Sequence, residues 1–160
     1  MTQTSTRRLQ PGDAAPDFAL WDADGEEVKL SSYRGHALVL YFYPAAGTPG
    51  CTTEAGDFRD SLSWLADLDH TVVGVSHDDP EALRRFRDEQ GLGFRLLSDP
   101  TLDVHYVYGA CTERGGSGDG VIRSTFLIDV AGRITRAMYD VRAEGHVADV
   151  RAIVGAAGDS

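Results

Sequence analysis

Seven consecutive apolar residues, Ala37 to Tyr43 (ALVLYFY), run into a proline at position 44. An unbroken apolar run of this length, stopped by a turn residue, reads as a strand buried on both faces. A chain with such a strand must supply covering structure on each side of it. The next segment provides a candidate: from Pro49 to Asp67, Ala55, Phe58, Leu62, Leu65 and Leu68 recur at steps of three and four, the period of a helix with one apolar face. No longer apolar run exists, and this one is far short of the ~20 residues that a membrane-spanning helix requires.

The same alternation continues. Thr71–Val75 is a second buried strand, and Pro80–Gln90 a helix opened by Asp78 or Asp79 and closed by Gly91. Phe94–Leu97 is a short strand. Asp99 is expected to cap a helix over Pro100–Tyr108 that ends at Gly109, and a polar loop runs from Thr112 to Gly120. Strands at Arg123–Asp129 and Ile134–Tyr139 are joined by Ala131-Gly132, and Gly145–Val154 is the closing helix. Upstream, Asp17–Leu20 and Glu27–Leu30 flank Asp24-Gly25, a hairpin signal. The order predicts an α/β domain: a mixed central sheet flanked by helices, with an N-terminal β-hairpin. At 160 residues the chain is read as a flexible polar tail, residues 1–9, and one domain, residues 10–157.

A formal net charge of −10 sets the surface against phosphate backbones and anionic bilayers, so neither nucleic acid nor membrane is an expected partner. The polar N-terminus lacks the apolar stretch of a signal peptide, which points to the cytoplasm. Thiols stay reduced there, and the two cysteines, Cys51 and Cys111, are read for chemistry ahead of cross-linking. The five histidines lack ligand spacing, so no metal is expected.

The strand-to-helix junction reads Tyr43-Pro44-Ala45-Ala46-Gly47-Thr48-Pro49-Gly50-Cys51-Thr52-Thr53-Glu54. Thr-Pro is a helix start, with Thr48 at the N-cap and Pro49 at the first helical position, where its missing N–H costs nothing. Cys51 then falls at the third position, among unpaired backbone N–H groups at the positive end of the helix dipole. Such placement favours thiolate over thiol and can lower a cysteine pKa from about 8.5 to roughly 3.5–7.5. In α/β sheets ligands gather at the carboxyl ends of strands, which is where this junction lies.

These residues closely resemble the peroxiredoxins, nearest to the PrxQ or bacterioferritin comigratory subfamily, whose Pro-x-x-x-Thr-x-x-Cys signature appears here as Pro44, Thr48 and Cys51. The resemblance extends to Gly12–Phe18, Ser98-Asp99-Pro100 and Arg123–Asp129, over roughly residues 10–155, and implies a thioredoxin-like fold. It implies that Cys51 is the peroxidatic cysteine, oxidised to a sulfenic acid by hydrogen peroxide or organic hydroperoxides. Thr48 matches the hydroxyl that binds peroxide and sulfur, Pro44 the residue that shields the sulfur, and Arg123 the family's distant arginine. Glu54 is expected either to hold Arg123 by an ion pair or simply to favour the helix start, and Tyr43 to line the pocket. No metal, haem or flavin cofactor is implied.

The pattern breaks at one place. Many PrxQ members carry a resolving cysteine five residues after the first, and this chain has Gly56 there. Two recycling routes stay open: Cys111 resolves the sulfenic acid and thioredoxin reduces the disulfide, or the enzyme works with one cysteine and an external low-molecular-weight thiol or redoxin. The second is favoured, since Cys111 matches no resolving position. The competing functions are a peroxide sensor that does not turn over and a thioredoxin-type disulfide oxidoreductase, the latter weakened by the absence of Cys-x-x-Cys. A monomer or weak homodimer is expected.

Overall fold

The computed structural model describes residues 8–112 and 120–158. The chain folds around one seven-stranded mixed sheet. Its strands are β1 (Ala19–Asp22), β2 (Glu27–Lys29), β3 (Ala37–Phe42), β4 (His70–Ser76), β5 (Arg95–Ser98), β6 (Ser124–Ile128) and β7 (Ile134–Met138), in the spatial order β2-β1-β5-β4-β3-β6-β7. The helices are α1 (Pro49–Asp67), α2 (Pro80–Gln90), α3 (Asp103–Val107) and α4 (His146–Gly158). β3 pairs in parallel with β4, and β4 with β5; the remaining pairings are antiparallel. This is the expected α/β thioredoxin-like architecture.

The apolar run does what its lack of alternation required. Val39, Tyr41 and Tyr43 enter one cluster with Cys51, Ala55, Phe58, Leu83, Phe86, Val150 and Val154, the buried faces of α1, α2 and α4. Leu38, Leu40 and Phe42 enter the other, with Phe18, Val28, Tyr108 and Phe126. Side chains alternate across a strand, so one heptapeptide anchors both layers. The Tyr41 ring lies across β4 at Gly74, where a Cβ would sit 2.9 Å from it. That absence of a side chain lets Tyr41 reach Phe58 of α1, with ring centroids 4.6 Å apart.

Both ends of α2 agree with their sequence signals. Asp79 accepts a hydrogen bond from the Ala82 N–H, and Gly91 closes α2 at φ 62°. The expectation for Pro100–Tyr108 fails. Only Asp103–Val107 is helical, preceded by Leu102 at φ 63°. Asp99 is drawn further along the chain, where its Oδ2 accepts from both the backbone N–H and the ring Nδ1 of His105. A buried carboxylate satisfied six residues downstream leaves the intervening segment as a turn, closed by the Leu102 N–H to Asp99 carbonyl bond. The closing helix, His146–Gly158, runs past the expected end at Val154. Residues 1–7 of the tail and 113–119 of the glycine-rich loop lie outside the described residues. Among the described residues no helix is long and apolar enough to cross a membrane.

Candidate active site

Register decides what meets at the end of β3. β6 runs antiparallel to β3 with Ser124 opposite Phe42. Arg123 is therefore one step beyond the pairing, level with the loop that leads into α1. Arg123 and Cys51 lie 72 positions apart in sequence, yet the guanidinium Nη2 donates to the Cys51 sulfur at 3.4 Å. Its other arm, Nη1, donates to Glu54 Oε1 at 2.6 Å. The two readings for Glu54 thus resolve to the ion pair. The helical period accounts for the arrangement: residues 51 and 54 face the same way one turn apart, and both are buried, at 1% and 0% exposure.

Glu54 is held under tension between two effects. Burial raises its carboxyl from an ordinary 4.5 to about 7, against the opposing pull of the Arg123 charge and hydrogen bond. Its second oxygen, Oε2, is buried with no hydrogen-bond partner among the described residues. One cation therefore serves a carboxylate and a sulfur together, and guanidinium geometry suits it to that: a planar fork can address two acceptors where an ammonium is a single point.

The loop is fixed from both ends. Thr48 occupies the N-cap position with extended backbone (φ −78°, ψ 153°), and Thr52 N–H bonds its carbonyl at 2.8 Å. The Thr48 hydroxyl makes no bond to the helix; it donates back to the Ala45 carbonyl at 2.8 Å. With the cap side chain turned away, Thr48 leaves the amides of Gly50 and Cys51 uncapped at the helix mouth. Gly50 is where the guanidinium comes close, since a Cβ there would meet Nη2 at 3.2 Å. Pro44 is half-buried where strand becomes loop. Tyr43, expected to line the pocket, is packed into the interior. It is 1% exposed, with its ring 6.2 Å from that of Phe86 in the helical layer.

Two further residues position the site and were not singled out for it. Asp78 does not cap α2. Its Oδ2 accepts from the Ala46 N–H at 2.7 Å and from the Ser76 hydroxyl at 2.8 Å, pinning the loop from the end of the neighbouring strand. No sequence signal separates this role from that of Asp79 beside it. His146 pairs through Nε2 with the Thr125 hydroxyl at 2.7 Å, two residues from Arg123. Burial holds its pKa below the ordinary histidine range, so it is neutral near pH 7 and braces β6 without adding a second cation.

Cys111 lies elsewhere. It bridges to Val121 beyond α3, directly after Tyr108 and Ala110 of the second apolar cluster, and its sulfur is 3.9 Å from the Leu102 carbonyl. No disulfide joins it to Cys51, which belongs to the first apolar cluster.

The chain is similar to known proteins. A model of the AhpC/TSA family matches residues 11–137. A Mycobacterium tuberculosis relative classed as a peroxiredoxin is 54% identical over 151 residues, covering 92% of this chain and 96% of its own length. Peroxiredoxin Bcp of Escherichia coli K12 is 41% identical over 141 residues, covering 86% of this chain and 90% of its own. The solved structure of a cysteine-to-serine mutant of Xylella fastidiosa PrxQ superposes with a TM-score of 0.86 at 32% identity, over 94% of this chain and 98% of that one. A thiol beneath a guanidinium at a helix mouth, on this fold and in this company, means that the chain belongs to the peroxiredoxins of the AhpC/TSA family, in their Bcp/PrxQ branch, and reduces peroxides through a cysteine thiol.

Proposed function

We propose that Cys51 is the peroxidatic cysteine and that it works without a resolving cysteine in the same chain. The observation that carries the first half is the Arg123 guanidinium, which faces the Cys51 sulfur at 3.4 Å while buried Glu54 holds it in place. The nucleophile is the thiolate. It attacks one oxygen of ROOH; the sulfur–oxygen bond forms as the oxygen–oxygen bond breaks, and the sulfur is oxidised by two electrons to sulfenic acid. The leaving alkoxide takes a proton to become ROH. Charge moves from sulfur to the departing oxygen, and donors fixed around that path lower the barrier because they need no reorganisation during the reaction. Arg123 and the uncapped amides of Gly50 and Cys51 are those donors. Thr48 has committed its proton to Ala45, so its oxygen presents lone pairs that accept the peroxide O–H. Pro44 limits water at the sulfur.

Two observations support the one-cysteine route. Gly56 replaces the neighbouring thiol, and Cys111 is a buried free thiol whose sulfur faces the Leu102 carbonyl, with no disulfide to Cys51. A disulfide needs Cα atoms within about 7 Å and converging side chains. The reductant is then an external thiol, from a low-molecular-weight compound or from thioredoxin, in a reducing cytoplasm, and the protein acts as a monomer or weak homodimer. Peroxide consumption with dithiothreitol tests the reading. Cys51→Ser is expected to abolish turnover, while Cys111→Ser keeps it within about twofold. A Cys111→Ser protein that performs one stoichiometric reaction and stops would reassign Cys111 as the resolving thiol.

A further inference from the structure

Between β7 and α4 lies a cavity of about 630 Å³ whose walls include Arg136, Arg142, Glu144 and Asp149. On other parts of the surface, Arg87 bonds Asp24 and Asp88, and Arg59 bonds Asp60. Around this cavity, two cations and two carboxylates are brought together, and none of the four forms an ion pair with another described residue. Charges of both signs that converge on a concave space without neutralising one another are suited to a ligand that also carries both.

The cavity shares a wall with the site of Cys51. The Val141 N–H donates to the Arg123 carbonyl at 3.0 Å, and the Ala143 Cβ is 3.5 Å from where a Cβ on Gly50 would stand. Residues 142 and 144 flank Ala143 and line the cavity, while Ala143 itself meets the first turn of α1. His146, also in the lining, has its Nε2 occupied by Thr125. A molecule seated here lies one residue's thickness from the helix mouth.

We propose that this cavity is the docking site of the reducing thiol and that it selects a small zwitterionic thiol, one with a carboxylate for Arg142 and Arg136 and an ammonium for Glu144 and Asp149. The inference rests on the one-cysteine reading and specifies its reductant. Charge argues for a zwitterion over an anion, since a chain of net charge −10 repels anions at long range and the cavity has no net surplus of cations to compensate. The chemistry balances in two steps. The thiol sulfur attacks the Cys51 sulfenic sulfur; a sulfur–sulfur bond forms, the sulfur–oxygen bond breaks, and the hydroxide leaves with the thiol proton as water. A second thiol then releases Cys51 and departs as the oxidised small-molecule disulfide.

The experiment follows recycling of the peroxide-oxidised full chain by four thiols of different charge: cysteine (zwitterion), 3-mercaptopropionate (anion), cysteamine (cation) and 2-mercaptoethanol (neutral). Because intrinsic nucleophilicities differ, each variant is compared with wild type for the same thiol. Arg142→Gln is expected to slow recycling by cysteine about tenfold and leave the rate with 2-mercaptoethanol within twofold. Glu144→Gln is expected to penalise cysteine and cysteamine but not 3-mercaptopropionate. Equal effects on all four thiols, or on none, with Cys111→Ser still recycled, would overturn the docking site alone. Loss of recycling by every thiol in Cys111→Ser would overturn the one-cysteine reading and this inference with it.

Discussion

Two regions of the molecule each bury one thiol and one carboxylate paired with a nitrogen group, and they use them differently. In the region of α1, Glu54 shares the Arg123 guanidinium with the Cys51 sulfur, and one of its oxygens is left without a partner among the described residues. In the other, Asp99 directs Oδ2 to the backbone and ring of His105, and the Cys111 sulfur faces a carbonyl oxygen. Burial is the same, 1% exposure for either sulfur. What differs is the sign of the group turned toward it. A cation favours negative charge on sulfur, whereas a carbonyl oxygen can only accept from the thiol. If Cys51 is the peroxidatic cysteine as proposed, the group that faces it sets the two cysteines apart, and the Asp99–His105 pair is expected to serve stability.

Four substitutions sharpen or break that contrast. Arg123→Lys keeps the charge but loses the fork, so either the sulfur or Glu54 goes unserved; the second-order rate of Cys51 oxidation, measured by stopped flow, is expected to fall on the order of 10²-fold. An unchanged rate would remove Arg123 from the reaction. Asp99→Ala should do the opposite. It leaves the His105 donors buried and unmet, lowering unfolding stability by roughly 2–4 kcal/mol in urea titrations, while folded protein reacts with peroxide as before. A matching loss of reactivity would mean that the two regions are coupled.

Glu54→Gln isolates the buried ion pair. With its carboxyl raised from 4.5 to about 7 in the folded state, the native protein binds more protons than the unfolded chain between those values. Stability from this group is therefore complete below about pH 4.5 and is lost as pH rises through 7, a change of at most about 3 kcal/mol. Glutamine removes the titration, so the variant's stability should decline less than wild type between pH 5 and 8. Parallel pH profiles would show that burial does not govern this carboxyl. The smallest effect is at Gly56. A Cβ there meets nothing closer than the far end of Arg59, at 3.5 Å, and Gly56→Ala should add about 0.5–1 kcal/mol. A destabilised variant would indicate that the flexibility of α1 near Cys51 is built into the native state.

Legibility in the sequence followed the range of the interaction. The Thr48-Pro49 start, the place of Cys51 at the third position, the Asp79 and Gly91 ends of α2 and the double burial of Ala37–Phe42 could all be read, because each depends on backbone geometry within a turn or on the period of side chains along one element. Asp99 misled for the same reason: as a local cap it was plausible, but a longer-range bond to His105 won. Asp78 and Asp79 are indistinguishable in sequence, and one holds the loop before α1 while the other starts a helix.

The amino-acid sequence by itself determined the layers, the helix mouth and which cysteine stands in it. Only the tertiary structure decided that Arg123 reaches across 72 positions to that sulfur, that Glu54 holds it, and that Cys111 is buried against the Leu102 carbonyl. Local preferences set where elements begin and end. The partners of a side chain are set by which strands become neighbours and in what register, and a single step in the β3–β6 pairing would turn every side chain of β6 to the opposite face.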